Sequence, residues 1–231
     1  MTLDESSVVH ADLPPLLRVP PPGPSSRTWL LRHAHVAAPM GPILPPGPPG
    51  GIVYATGRGI RVTDVDGNRY VDLAGGFGAL LIGHLHPTVQ RVIRLQSERL
   101  LQALGDLYPS DAKIALLERL TKLYPEAGAK GILAQSGSDA VSAALKTAKL
   151  ATNKPGVLAF SGAYHGLGYG PLAACGLRES YRAPFATELS AHVSFAAYPA
   201  TAESAAQSLE ACRARLRQGD VGAVFIEPVL G

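Results

Sequence analysis

From Gly131 onward, short apolar runs alternate with amphipathic helical stretches, and no other feature of the chain restricts its fold as much. The runs at 131–135, 156–160, 192–196 and 222–226 read as buried strands. Between them, 138–151 carries Ala140, Val141, Ala144, Leu145 and Ala148 on one helical face, and 201–218 opens on a threonine cap and stops at Gly219. A strand that rejoins its sheet through a helix lies parallel to its predecessor, so the pattern predicts a parallel sheet with helices on its faces. Ligands of such sheets bind outside the carboxyl ends of the strands, where Ser136, Tyr164 and Glu227 all fall.

The chemistry is concentrated between Ser136 and Gly166. Ser136-Gly137-Ser138-Asp139-Ala140 opens the first of these helices. First-turn amides have no intrahelical acceptor and the helix dipole is positive there, so two serine hydroxyls beside a glycine form a phosphate cup. The next apolar run, Gly156 to Phe160, delivers Tyr164 and His165 to a glycine-flanked loop. A phosphate cup beside an aromatic platform suits a flat, phosphorylated cofactor. Each residue also has a plainer reading: the serines as helix caps, Asp139 as a first-turn acid, Tyr164 as a core ring, His165 as a loop-orienting imidazole and Glu227 as a solvated strand-end acid.

Ser136 to Ala140 followed by Gly162-Ala163-Tyr164-His165-Gly166 resembles the cofactor region of the class III aminotransferases, which use pyridoxal 5'-phosphate. The likeness includes the stretch Gly59 to Asp72, Gly83 to Pro87, and Phe225-Ile226-Glu227-Pro228, so it spans about residues 51 to 231. The resemblance implies an α/β fold: an incomplete fold-type-I large domain, mainly a parallel sheet with flanking helices, plus part of a small amino-terminal α+β element. It maps phosphate binding onto Ser136, Gly137 and Ser138, ring stacking onto Tyr164 with His165 beside it, and substrate contacts onto Phe77 and Glu227. It implies amino transfer from an amine or amino acid to a keto acid, in a protein that is a homodimer when full length. The family's catalytic lysine has no counterpart among Lys113, Lys122, Lys130, Lys146, Lys149 and Lys154, so the chain is expected to be the amino-terminal portion of an enzyme. The alternatives are an aminomutase of the same family, and a non-catalytic truncated paralogue that dimerises with a complete subunit. A Rossmann nucleotide-binding domain is disfavoured, since no Gly-x-Gly-x-x-Gly follows a strand with an acid about twenty residues on.

Composition narrows the partners. The formal charge is only +3 and the basic residues are scattered, which argues against nucleic acid. Cys175 and Cys212 lack ligand or disulfide spacing, which argues against a zinc site and fits a reducing cytoplasm. The amino terminus carries acids where a signal peptide needs bases, and no apolar run reaches the roughly 18 residues of a membrane span, so a cytoplasmic protein is expected.

Upstream of Gly51, prolines dominate, including Pro20-Pro21-Pro22, Pro45-Pro46 and Pro48-Pro49, and residues 1–50 read as a loose arm with a short helix within 27–40. Residues 51–104 read as part of the small domain with a connecting helix, and 105–231 as the first part of the large domain. Within 51–104, apolar residues flank Asp66-Gly67, a favourable hairpin turn, and a helix should run from Pro87 to about Gly105. Another helix is expected from Asp111 to Tyr124.

Overall fold

The computed structural model describes residues 14–38 and 51–230. The chain divides into two compact units, Met1–Pro109 and Ser110–Gly231.

The first unit is built on an antiparallel sheet, β1 (Tyr54–Arg58), β2 (Arg61–Asp64) and β3 (Arg69–Val71), in that order. The turn between β2 and β3 falls at the expected Asp66-Gly67, with Gly67 at φ 82°. Asp64 holds it: its carboxylate accepts the amides of Asp66 (2.9 Å) and Asn68 (2.8 Å), the Asn68 side-chain amide (2.9 Å) and the Tyr70 hydroxyl (2.8 Å). Burial pushes the Asp64 pKa up, but these hydrogen bonds outweigh it and leave the group below the usual carboxylate value.

The segment read as a loose arm is, over residues 14–38, tied to this turn. Buried Asn68 accepts the amides of Arg18 and Val19, and Leu16 exchanges backbone hydrogen bonds with Arg69. The Asp66 carboxylate takes the amides of Ser25 and Ser26 at the start of α1 (Pro24–Val36), where helix geometry leaves donors free and the dipole favours an anion. Pro45, Pro46, Pro48 and Pro49 lie outside the described residues. Helix α2 (Pro87–Ser97) starts at the expected proline but stops well short of Gly105. There the Ser97 hydroxyl donates to the Arg94 carbonyl, which also accepts the Glu98 amide that closes the helix, and the Gln96 side-chain amide takes the Leu100 carbonyl beyond it.

The second unit runs α3 (Asp111–Leu123), α4 (Gly137–Thr152), β4 (Gly156–Phe160), α5 (Tyr169–Ala174), α6 (Glu179–Arg182), β5 (Val193–Ala196), α7 (Ala202–Leu216) and β6 (Val221–Val224). The strands form the predicted parallel sheet, in the order β5-β4-β6. β4 is central because it is apolar on both faces: Leu158 and Phe160 join Ala196 in the core, with Tyr198, Cys212 and Val221 packed against it. Fully burying a residue like Leu158 contributes about 1.5–3 kcal/mol. Thr201 caps α7 with a reciprocal bond to Ser204, and Gly219 (φ 80°) follows its end as expected.

One expected strand does not form. Residues 131–134 have no strand geometry, and Ile132 is 71% exposed. Strands exist by pairing, and no strand among the described residues lies alongside this run. Its apolar sequence meets the requirement for burial but not for a ladder.

Candidate functional site

Three segments of the second unit meet at the carboxyl ends of its strands: the start of α4, the loop after β4, and the segment after β6. Ser136 has extended backbone and caps α4, its hydroxyl accepting the Asp139 amide (3.1 Å). Asp139 reaches back to accept the Gln135 amide (3.1 Å), so serine and aspartate fix the helix entry reciprocally. The plainer readings of Ser136 and Asp139 are therefore true of the free chain. They leave the phosphate reading open, because a hydroxyl that accepts one bond keeps its own hydrogen to donate. The Gly137 and Ser138 amides stand in the first turn, and nothing lies within 4 Å of where a Gly137 Cβ would be.

Ser138 joins α4 to the loop. Its hydroxyl accepts the Gly168 amide (3.1 Å). Gly166, at φ 111°, brings its backbone so close that an added Cβ would sit 2.6 Å from the Ser138 Cβ. Any side chain at 166 would push the loop off the helix start. The sequence reading named Gly166 only as the end of its motif and did not name Gly168; the signal available for their packing role was the recurrence of glycine at 162, 166 and 168.

Tyr164 and His165 occupy this loop, and Glu227 holds it from the β6 side. The Glu227 carboxylate accepts the Tyr164 backbone amide (2.8 Å), a tie across 63 residues. This is a role beyond either sequence reading of Glu227. The Tyr198 hydroxyl donates to the Pro228 carbonyl (2.8 Å) and anchors the segment that carries Glu227. Tyr164 is 46% exposed and so is not a core residue.

His165 packs edge-on against Phe225, ring centres 6.0 Å apart. Burial lowers its pKa below the ordinary histidine value, partly offset by the Glu227 charge. It is therefore neutral near pH 7, and its Nε2 is buried without a hydrogen-bond partner among the described residues. An orphaned imidazole nitrogen beside a half-exposed ring and a first-turn anion cup is a donor set that fits a phosphorylated aromatic group.

Phe77, the other expected substrate contact, belongs to the first unit, where it is fully exposed at φ 56° between Gly75, Gly76 and Gly78. The six lysines lie elsewhere than the strand-end loops: Lys113 and Lys122 on α3, Lys146 and Lys149 on α4, and Lys130 and Lys154 in connectors. Among the described residues there is no cluster of His, Cys, Asp and Glu suited to a metal ion, and no helix long and apolar enough to cross a membrane. Both cysteines are free thiols, Cys175 fully buried.

The sequence profile of the family described as Aminotransferase class-III matches residues 47–231. Relatives include 2-aminoadipate transaminase of Pseudomonas putida, 34% identical over 187 residues, covering 78% of this chain and 45% of that protein. The 4-aminobutyrate aminotransferase of Escherichia coli is 34% identical over 178 residues, with 74% of this chain and 42% of the relative covered. The chain thus spans somewhat under half the length of these relatives. Among solved structures, taurine:2-oxoglutarate aminotransferase from Bifidobacterium kashiwanohense, in complex with PLP and glutamate, superposes with a TM-score of 0.78. That match covers 89% of this chain and 48% of the other at 20% identity, and it establishes likeness of fold.

Proposed function

The chain belongs to the class III aminotransferase family, and from that membership we propose that it binds pyridoxal 5'-phosphate and serves transfer of an amino group between an amine or amino acid and a keto acid. The observation that carries the reading is that the Tyr164 loop is tied on two sides, to the start of α4 by Ser138 to Gly168 and to the segment after β6 by Glu227 to Tyr164. It joins an oxyanion cup to an aromatic ring through the protein's own hydrogen bonds.

In this reading the Gly137 and Ser138 amides and the Ser136 and Ser138 hydroxyls hold the phosphate. The exposed Tyr164 ring offers its face to the pyridine ring, and Glu227 keeps that face in place by fixing the backbone beneath it. The neutral His165 fills the space behind without adding charge. When bound, the cofactor supplies an electron sink that weakens the bond to hydrogen on the carbon bearing the amino group. The lysine this chemistry requires is not supplied by any of the six described, so this stretch contributes the anchor and platform rather than the proton-moving base.

Pyridoxamine 5'-phosphate is the probe for the test, because it lacks the aldehyde that would label surface lysines. The expected result is saturable binding that inorganic phosphate competes away. A Ser136→Ala/Ser138→Ala chain should bind at least tenfold more weakly, since each serine loses a hydrogen bond to a charged group worth about 1.5–3 kcal/mol. Equal affinity in the double variant, with fold retained by circular dichroism, would overturn the assignment.

A further inference from the structure

The sheet of the first unit has a face that the proposed site does not use. Strand alternation puts Arg61 and Thr63 of β2 on the side opposite buried Val62 and Asp64. Pairing sets Arg58 across from Arg61, Thr56 across from Thr63, and Arg69 across from Thr63 on the other flank. With Gly57 and Leu85, these side chains line a hollow of about 350 Å³.

As it stands the arrangement is unfavourable. Like charges directly opposite one another on adjacent strands destabilise a sheet, and Arg58 faces Arg61 in this way. Among the described residues, none lining the hollow is acidic. The nearby carboxylates are committed elsewhere: Asp64 to Asn68 and Tyr70, Asp66 to the amides of Ser25 and Ser26, and Asp72 to His84 and the amides of Ala74 and Gly75. The Nε and Nη1 of Arg61 are buried and have no acceptor among the described residues. Buried guanidinium donors without an acceptor have lost their hydration with nothing in exchange. Of the three arginines, Arg69 has its Nε placed, by donation to the Pro14 carbonyl (3.2 Å).

We propose that this hollow binds a small oxyanion carrying at least two negative charges, of phosphate or dicarboxylate chemistry. Such an ion would accept from three guanidinium groups, whose planar forks match carboxylate and phosphate oxygens, and from the hydroxyls of Thr56 and Thr63. It would turn the repulsion between Arg58 and Arg61 into shared attraction. The volume lies at the small end of ligand sites, roughly 300–1,000 Å³, which suits a compact anion better than a nucleotide.

The test is calorimetric titration of the 231-residue chain with inorganic pyrophosphate and, separately, with succinate, at fixed low ionic strength. At least one anion should bind saturably, and the tighter of the two identifies the ligand's chemistry. Arg58→Gln and Arg61→Gln should each weaken it roughly tenfold or more, while Lys149→Gln, on α4, should not. Arg58 is exposed, so Arg58→Gln does not put folding in question. Without anion it should melt higher than the parent chain, and with saturating anion lower. Absence of saturable binding by either anion would overturn the proposal, as would binding that Lys149→Gln weakens equally. Binding that falls in Ser138→Ala but not in Arg58→Gln would place the ion at α4 and overturn it too.

Discussion

Glu227 acts on its neighbourhood in two ways, by accepting the Tyr164 amide and by placing negative charge near the His165 imidazole. Burial holds the His165 pKa below its ordinary value and the Glu227 charge pulls it partly back. Glu227→Gln keeps an acceptor for the amide but removes the charge, so His165 should titrate at a still lower pH than in the parent chain. A histidine-detected NMR titration checks this, and an unchanged or raised midpoint would contradict it. The sign for stability follows: the fold favours neutral His165, so its contribution is whole above about pH 6.5 and is lost as pH falls from there toward the folded pKa. Phe77 illustrates what local sequence conceals. The glycines around it announce a turn, yet nothing announces that the phenylalanine itself takes a left-handed backbone, at a cost of about 1–2 kcal/mol, with its ring left in solvent.

At the scale of elements, legibility followed the range of the determining interactions. Helix α7 and the β2–β3 turn were readable because Thr201, Gly219 and Asp66-Gly67 act on residues a few positions away. Residues 131–134 have a strand-like sequence no weaker than β4, but a strand needs neighbours, and sequence spacing does not reveal whether they are there. Amide exchange should show the difference: Ile132 to Ala134 should exchange quickly, and Val157 and Leu158, paired on both sides, slowly. Comparable protection in both would mean that 131–134 is paired after all. The arginine face was missed for a related reason. Arg61-Val62-Thr63-Asp64 reads as an ordinary half-buried strand, and only the register with β1 and β3 shows that Arg58, Arg61 and Arg69 converge.

Over the whole molecule, large apolar side chains stay exposed in each unit: Leu81, Ile82, Leu101 and Leu107 in the first, and Leu123, Ile132, Leu150 and Val229 in the second. Apolar surface of this extent makes a chain prone to associate. The 231-residue chain, expressed as such, should scatter light as a species well above its 24.1 kDa; a monodisperse particle of that mass would contradict the expectation. The parallel sheet and its strand-end loops were legible from the alternation of runs and helices, whereas the tie that sets the Tyr164 loop was not, because its acceptor lies 63 residues downstream. That separation also imposes an order on biosynthesis. At about 5–20 residues per second, a ribosome that has just added Tyr164 needs roughly 3–13 s more to reach Glu227. For that interval α4 and β4 already exist as nascent chain, while the loop between them and the sheet's far edge has no acceptor for its amide. The Tyr164 backbone is therefore set in place late, by a residue added 63 positions after it, and a chaperone that meets the nascent chain earlier meets that loop open.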